Sequence, residues 1–275
     1  MERKFFTCIL LIALFLTDIN ASFATENAVS NPENDRRTKN RDYFDYCMSH
    51  RDYGINIFEL EEHAFVSDLN TDEFHVDVKP SCNFSIRLDE NDIRGIVIHY
   101  TNGSAEGAYS WWQIRYPGTS AHYIIRRDGS VIQSVPEAYA AFHLGCGWND
   151  EFCKTCPAVL CDNNGYFYDP AETTIAIELE NAGPVFAENG VYTDIFKTAL
   201  PENAGIFLYD GDDPRYHASN FYEEFPDQQL ASLDKLITEL ENRYGPLEVL
   251  GHSDIMQISV DPGPAFPMAV FSERN

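Results

Sequence analysis

Two histidines and one aspartate are placed where they could hold a metal ion. His99 sits near the end of a short apolar, β-branched run, "GIVIHY" (Gly95 to Tyr100), and His252 follows a second run, "LEVLG". Asp261 comes nine residues after His252, directly before Pro262-Gly263-Pro264. Catalytic zinc takes three protein ligands and keeps a fourth position for water. Two imidazoles and a carboxylate meet that need, and strand ends with a proline-fixed turn suit a rigid ligand set. Zinc would bring the pKa of its bound water towards ~7, giving a nucleophile at neutral pH. Asp254 competes for the carboxylate role. A strand running on past His252 would put Asp254 on the same face, because side chains repeat every two residues. Spacing alone leaves Asp254 and Asp261 both open.

The elements that must position these residues are legible nearby. "GIVIHY" reads as a buried strand. "SAHYIIRRDGSVIQSV" holds two strand-like runs joined through Asp128-Gly129, a strong hairpin signal. "TTIAIELENAG" (Thr173 to Gly183) is a further strand, with Ile175, Ile177 and Leu179 on one face and Ala176, Glu178 and Glu180 on the other. Leu230, Leu233, Ile237, Leu240 and Tyr244 recur at helical spacing. Asp227 can cap that helix and Gly245-Pro246 ends it. "LEVL" then delivers His252. Strands and helices in this order predict an α/β domain with one central mixed sheet.

Composition narrows the function classes. The chain of 275 residues carries 44 Asp+Glu against 19 Lys+Arg, a net charge of -25. Phosphate-backbone binding needs clustered Lys and Arg, so no nucleic-acid partner is expected. Electrostatic attachment to an anionic membrane surface is disfavoured on the same ground. The first residues combine basic Arg3 and Lys4, an apolar run from Phe5 to Leu16, and small residues ending at Ala21 or Ala24. Residues 1–24 therefore read as a secretory signal peptide, too short for a membrane span. The mature chain is expected to be secreted or periplasmic, with no stable membrane insertion. Six cysteines follow the signal: Cys47, Cys82, Cys146, Cys153, Cys156 and Cys161. Export to an oxidising compartment makes all six disulfide candidates, with the pairing open. Structural zinc on the C-x-x-C of the later cluster is the rival reading. Residues 25–90 read as a flexible leader followed by a cysteine-bearing extension that packs on the main domain, which spans 91–275.

The motifs "IVIHYT", "SAHYIIRRDGSVIQSVP", "AFHLG", "IAIELENAG" and "GHSDI…DPGPAF" occur in the order seen in zinc-dependent N-acetylmuramoyl-L-alanine amidases. The sequence resembles this type 2 amidase family, relatives of the peptidoglycan recognition proteins, over residues 91–270. The resemblance implies a central mixed β-sheet flanked by helices, with one Zn²⁺ per chain in a groove for peptidoglycan or muropeptide. It implies His99, His252 and Asp261 as metal ligands, and so prefers Asp261 over Asp254. It implies Glu178, the first glutamate of "IELE", as the catalytic acid and base. The bond cut would be the amide between N-acetylmuramic acid and L-alanine. His122 and His143 match family histidines that are not ligands; His122 reads as a core histidine and His143 as a possible groove residue.

Three features depart from the family pattern. Ser259 stands where many relatives carry a lysine that stabilises the oxyanion, and losing one such stabiliser costs ~10²–10³ in rate. Ser259 is itself a possible substrate or oxyanion contact. A peptidoglycan-binding protein of the same fold that has lost catalysis is therefore the alternative reading. The other departures are insertions at 146–171, with four cysteines, and at 184–225, rich in Tyr, Phe, Asp and Glu. Long loops over a site commonly form lids or binding walls, and aromatics can equally pack a loop's own core.

Overall fold

The computed structural model describes residues 32–50, 57–69, 75–114, 118–145, 170–256 and 258–274. The signal segment 1–24, the cysteines 146, 153, 156 and 161, and nearly all of the insertion at 146–171 lie outside these residues.

The segment expected to be a flexible leader is helical where described. Helix α1 spans Pro32–Ser49 and a short α2 spans Ile57–Glu62. Its apolar face starts only at Tyr43 and runs on through Tyr46 and Cys47, so residues 25–45 taken alone show no periodicity. Tyr43, Tyr46, Cys47, Leu60 and Phe65 are buried against Phe84, Val135 and Ala141. A disulfide joins Cys47 to Cys82 across 35 residues, with Cα atoms 5.3 Å apart. These residues thus pack on β2 and the segment around Val135 and Ala141, with the disulfide tying Cys47 to Cys82.

The sheet begins earlier than residue 91. Strand β1 (Val76–Val78) already belongs to it, and β2 (Phe84–Ile86) pairs with a later strand. Next come β3 (Gly95–Tyr100), helix α3 (Ala105–Trp112), β4 (Tyr123–Ile125), β5 (Val131–Gln133), β6 (Tyr139–Ala141) and β7 (Thr174–Leu179). The second insertion supplies β8 (Pro184–Glu188), β9 (Val191–Thr193), β10 (Ile206–Leu208) and β11 (Phe221–Glu223). Helix α4 (Asp227–Tyr244), β12 (Glu248–Gly251), α5 (His252–Ile255) and α6 (Met268–Ser272) complete the chain.

The main sheet has six strands in the order β1-β5-β4-β7-β3-β12. Strands β4, β7, β3 and β12 run parallel, while β5 is antiparallel to β4 through the Asp128-Gly129 hairpin. Gly129 takes φ 84°, which the turn requires and glycine permits. One face of the sheet carries Ile96, Ile98, Tyr123, Ile125, Ile175, Ile177 and Leu179 beneath Leu233, Leu236, Ile237 and Leu240 of α4. Burying those side chains is the main favourable term holding α4 to the sheet. Ile124, Ile132 and Ala176 face the other way, against Ala105 and Trp112 of α3. The mixed sheet flanked by helices is therefore as expected. Asp227 is the first residue of α4 rather than its cap: Pro226 occupies the cap position and no side chain caps the helix.

The second insertion folds into its own sheet, β10-β11-β8-β9. Its anchor is Arg127, just before the hairpin turn. Nε and Nη2 of Arg127 donate to both oxygens of the buried Glu223, at 2.6 and 2.9 Å, and Nη1 lies 2.8 Å from Glu180. The Ala182 N–H also donates to Glu223. A two-pronged guanidinium–carboxylate pair adds fixed geometry as well as energy. It fastens the insertion beside the C-terminal ends of the parallel strands.

Candidate metal centre and active site

Parallel strands β3 and β7 end side by side, with His99 directly opposite Glu178 in their register. Alternation places both on the α3 face of the sheet, since Val97 and Ala176 two residues earlier sit there too. Strand β12 pairs with β3 and ends at Gly251, so His252 starts α5 at the same edge. Gly251 lies against Pro262: a Cβ there would meet Pro262 Cδ at 2.7 Å. This close approach folds the Asp261-Pro262-Gly263 turn back onto β12. In open parallel sheets such carboxyl ends are where ligands bind.

Asp261 is the hub of the cluster. Its Oδ2 lies 2.9 Å from Nδ1 of His99, and its two oxygens lie 3.1 and 3.2 Å from Nδ1 of His252. One ligand atom from each of the three residues falls within 4.8 Å of the others. His99 is buried, and His252 and Asp261 are mostly so. Nδ1 of both histidines converges on the Asp261 carboxylate, a donor set of two imidazoles and a carboxylate that suits a divalent cation. Beside it Oε2 of Glu178 is buried without a hydrogen-bond partner among the described residues, a costly state that a water on such a cation would relieve. The residues present therefore fit a metal ion.

Burial alone would raise Asp261, but the imidazoles of His252 and His99 outweigh it and hold the carboxyl well below the ordinary carboxylate range. Burial lowers His99, partly opposed by Asp261. Burial, with the charge of Asp261 second, pushes Glu178 up to about 8.

Asp254 is not part of this cluster. Its side chain accepts the Gly251 N–H at 2.7 Å, and the group of converging ligand atoms is His99, His252 and Asp261. The chain turns into α5 at His252, so the extended-strand geometry that would have favoured Asp254 never arises. His122 is buried in the core: its Nδ1 accepts the Ala176 N–H, and its Nε2 contacts the Tyr139 carbonyl and Arg87. His143 reaches the cluster itself, with Nδ1 at 3.0 Å from Nε2 of His99 and Nε2 at 3.2 Å from the Thr174 hydroxyl. Ser259 donates its hydroxyl to Oδ1 of Asp261. In this arrangement it braces the carboxylate, at the position where the family resemblance implied a possible substrate or oxyanion contact. Of the disulfide candidates, Cys47 and Cys82 pair far from the site.

A cavity of about 910 Å³ opens over the cluster, lined by His99, Glu178, His252, Ser259 and Asp261. Trp111 of α3 and Phe196 and Asp194 of the second insertion form other parts of its wall. Trp111 and Phe196 are 49% and 70% exposed, so they present apolar surface to whatever enters. The insertion serves both expected purposes, because Tyr209, Tyr216 and Tyr222 pack edge to face within it. Thr174 and Phe196 were not singled out by sequence. Thr174 lies in a recognised strand but carries no chemistry of its own, and Phe196 is one of many aromatics in its segment.

With that geometry in place, comparison with known proteins is decisive. The family Amidase_2, described as N-acetylmuramoyl-L-alanine amidase, matches residues 89–264, more than half of the chain. The chain belongs to this amidase family. N-acetylmuramoyl-L-alanine amidase A of Achromobacter lyticus is 34% identical over 65 residues, which is 23% of this chain and 37% of that relative. The chain thus aligns with little more than a third of that amidase. Among solved structures, AmiD of E. coli, determined as a complex with the substrate anhydro-N-acetylmuramic acid-L-Ala-D-gamma-Glu-L-Lys, is 23% identical, with a TM-score of 0.42 over 65% of this chain and 56% of that one. AmpD of Citrobacter freundii is 20% identical, with a TM-score of 0.40 over 74% of this chain and 92% of that one.

Proposed function

We propose that this amidase-family chain is a zinc hydrolase that cleaves the amide between N-acetylmuramic acid and L-alanine in peptidoglycan or its fragments. The observation that carries the reading is the convergence of His99, His252 and Asp261 beside the buried Glu178 in one cavity. His99, His252 and Asp261 would hold one Zn²⁺. When bound, the ion supplies Lewis acidity to the amide carbonyl and to water.

Glu178 does the proton work. Its carboxylate takes a proton from the attacking water, the water oxygen bonds to the amide carbon, and the C–N bond breaks. Glu178 then returns that proton to the departing L-alanine nitrogen. A carboxyl directly opposite His99 in the sheet register is placed to take and return a proton in one cycle. Ser259 steadies Asp261, and Trp111 and Phe196 offer apolar surface for the faces of sugar rings.

The segment 1–24 supports a secreted or periplasmic location, with a role in degrading, remodelling or recycling cell wall. Among the described residues no helix is long and apolar enough to cross a membrane. The non-catalytic alternative draws on Ser259 in place of the family lysine. Mass analysis of products from purified peptidoglycan separates the two readings. Released stem peptides, abolished by chelator and by Glu178→Ala, are the expected result. Wall binding without any product from zinc-loaded protein would sink the enzyme reading.

A further inference from the structure

The metal cluster is backed by a chain of hydrogen bonds that ends on the backbone. Thr174 is fully buried at the start of β7. Its Oγ1 lies 2.9 Å from the Pro170 carbonyl and 3.2 Å from Nε2 of His143. The hydroxyl has one proton, and a carbonyl can only accept. Thr174 therefore donates to Pro170, and its oxygen accepts from Nε2–H of His143. That leaves Nδ1 of His143 without a proton, ready to accept from Nε2–H of His99 across 3.0 Å. The same counting leaves Nδ1 of His99 bare, and this atom lies 2.9 Å from Asp261. A bare imidazole nitrogen beside a carboxylate oxygen is an arrangement for two ligands of one cation.

The far end of the chain is well fixed. Pro170 opens the short turn Pro170–Thr173 that leads into β7. The buried Arg87 grips this turn, donating from Nη1 to the Ala171 carbonyl at 2.8 Å and from Nη2 to the Thr174 carbonyl at 2.7 Å. These bonds hold the turn that carries the Pro170 carbonyl.

We propose that Thr174, acting through His143, is a positioning residue that sets the tautomer of His99 and keeps its Nδ1 free for the metal. This rests on the metal-centre reading above. Partners of this kind typically change metal affinity about 10- to 100-fold when lost.

The test compares wild type, Thr174→Val and Thr174→Ser. Zinc affinity is measured by chelator competition, and imidazole tautomers are read from ¹⁵N–¹H correlation spectra of metal-free protein. Thr174→Val keeps the branched shape and removes the hydroxyl. It should weaken zinc about 10- to 100-fold and shift His99 towards the Nδ1–H form. Thr174→Ser should restore both. Zinc affinity and tautomers unchanged in Thr174→Val would overturn the proposal while leaving the metal centre standing. If Thr174→Val does not fold, the wild-type spectrum alone decides: His99 protonated at Nδ1 overturns it. Wild type that binds no zinc would overturn the metal-centre reading, and this inference with it.

Discussion

His99 and Glu178 are direct partners in the parallel pairing of β3 with β7, so a candidate metal-ligand histidine and a buried carboxyl emerge side by side from one sheet face. Neither side chain needs a flexible loop to reach the other. Their separation is set by the spacing of neighbouring strands, which is the least variable distance in a sheet. The predictions below follow from this placement and from the contacts around it.

Removing the Glu178 carboxyl should separate binding from turnover. In Glu178→Ala the three ligands remain, so zinc should still bind at one ion per chain. Peptide release should fall by ~10²–10⁴, the usual contribution of a positioned acid or base. Elemental analysis and product mass spectra of the same preparation check both halves. Loss of zinc in this variant would move Glu178 from proton transfer to metal support.

Glu178 should also give the metal-free protein a pH signature. Its ordinary pKa of 4.5 is raised to about 8 in the fold, chiefly by burial. Between these values the unfolded chain has released this proton while the folded chain still holds it. The unfolded state binds fewer protons, so stability falls as pH rises. The contribution is complete below 4.5 and is lost as pH passes through about 8. Thermal midpoints of the metal-free protein should decline across this window, and Glu178→Gln should flatten the decline.

Ser259 donates to Asp261, so Ser259→Ala should act on the metal rather than on chemistry alone. Zinc affinity should drop about 10-fold, the lower end for lost outer partners of a ligand. A fall in turnover at saturating zinc with affinity unchanged would instead assign Ser259 to the oxyanion.

Gly183 should not tolerate a side chain. Its φ is 66°, and a Cβ would meet the Tyr100 ring at 2.6 Å. Gly183→Ala should cost roughly 1–3 kcal/mol from the backbone conformation alone. Displacing Tyr100, which lines the cavity next to His99, should weaken substrate binding as well. Calorimetry and KM measure the two effects separately.

Cutting the Cys47–Cys82 tether should loosen the N-terminal extension without touching the site. Serine at both positions should cost about 2–4 kcal/mol, the typical worth of such a crosslink. Zinc binding should be unaffected, because the disulfide lies in the Tyr43–Phe84 cluster rather than near the metal ligands.

Much of this was local and therefore readable along the chain. Period-two alternation put Glu178 opposite Ile175 and Ile177, and helical spacing marked Leu233, Ile237 and Leu240. Residue type and strand-end position singled out His99 and His252. The helix at Pro32–Ser49 was missed because its buried face begins at Tyr43 and depends on Phe65 and Phe84, which no local window contains.

What only the tertiary structure decided is which of these residues meet. His99 and Asp261 are 162 positions apart and 2.9 Å from contact atom to contact atom. The family resemblance already preferred Asp261 over Asp254; the structure adds that the chain turns into α5 at His252 and that His143 links His99 to Thr174. Periodicity acts within a few residues of chain, whereas distances between such groups are set by sheet register and by how turns fold back. The sequence by itself supplied the candidate ligand residues and the faces they occupy; register and turn geometry decided that they share one point.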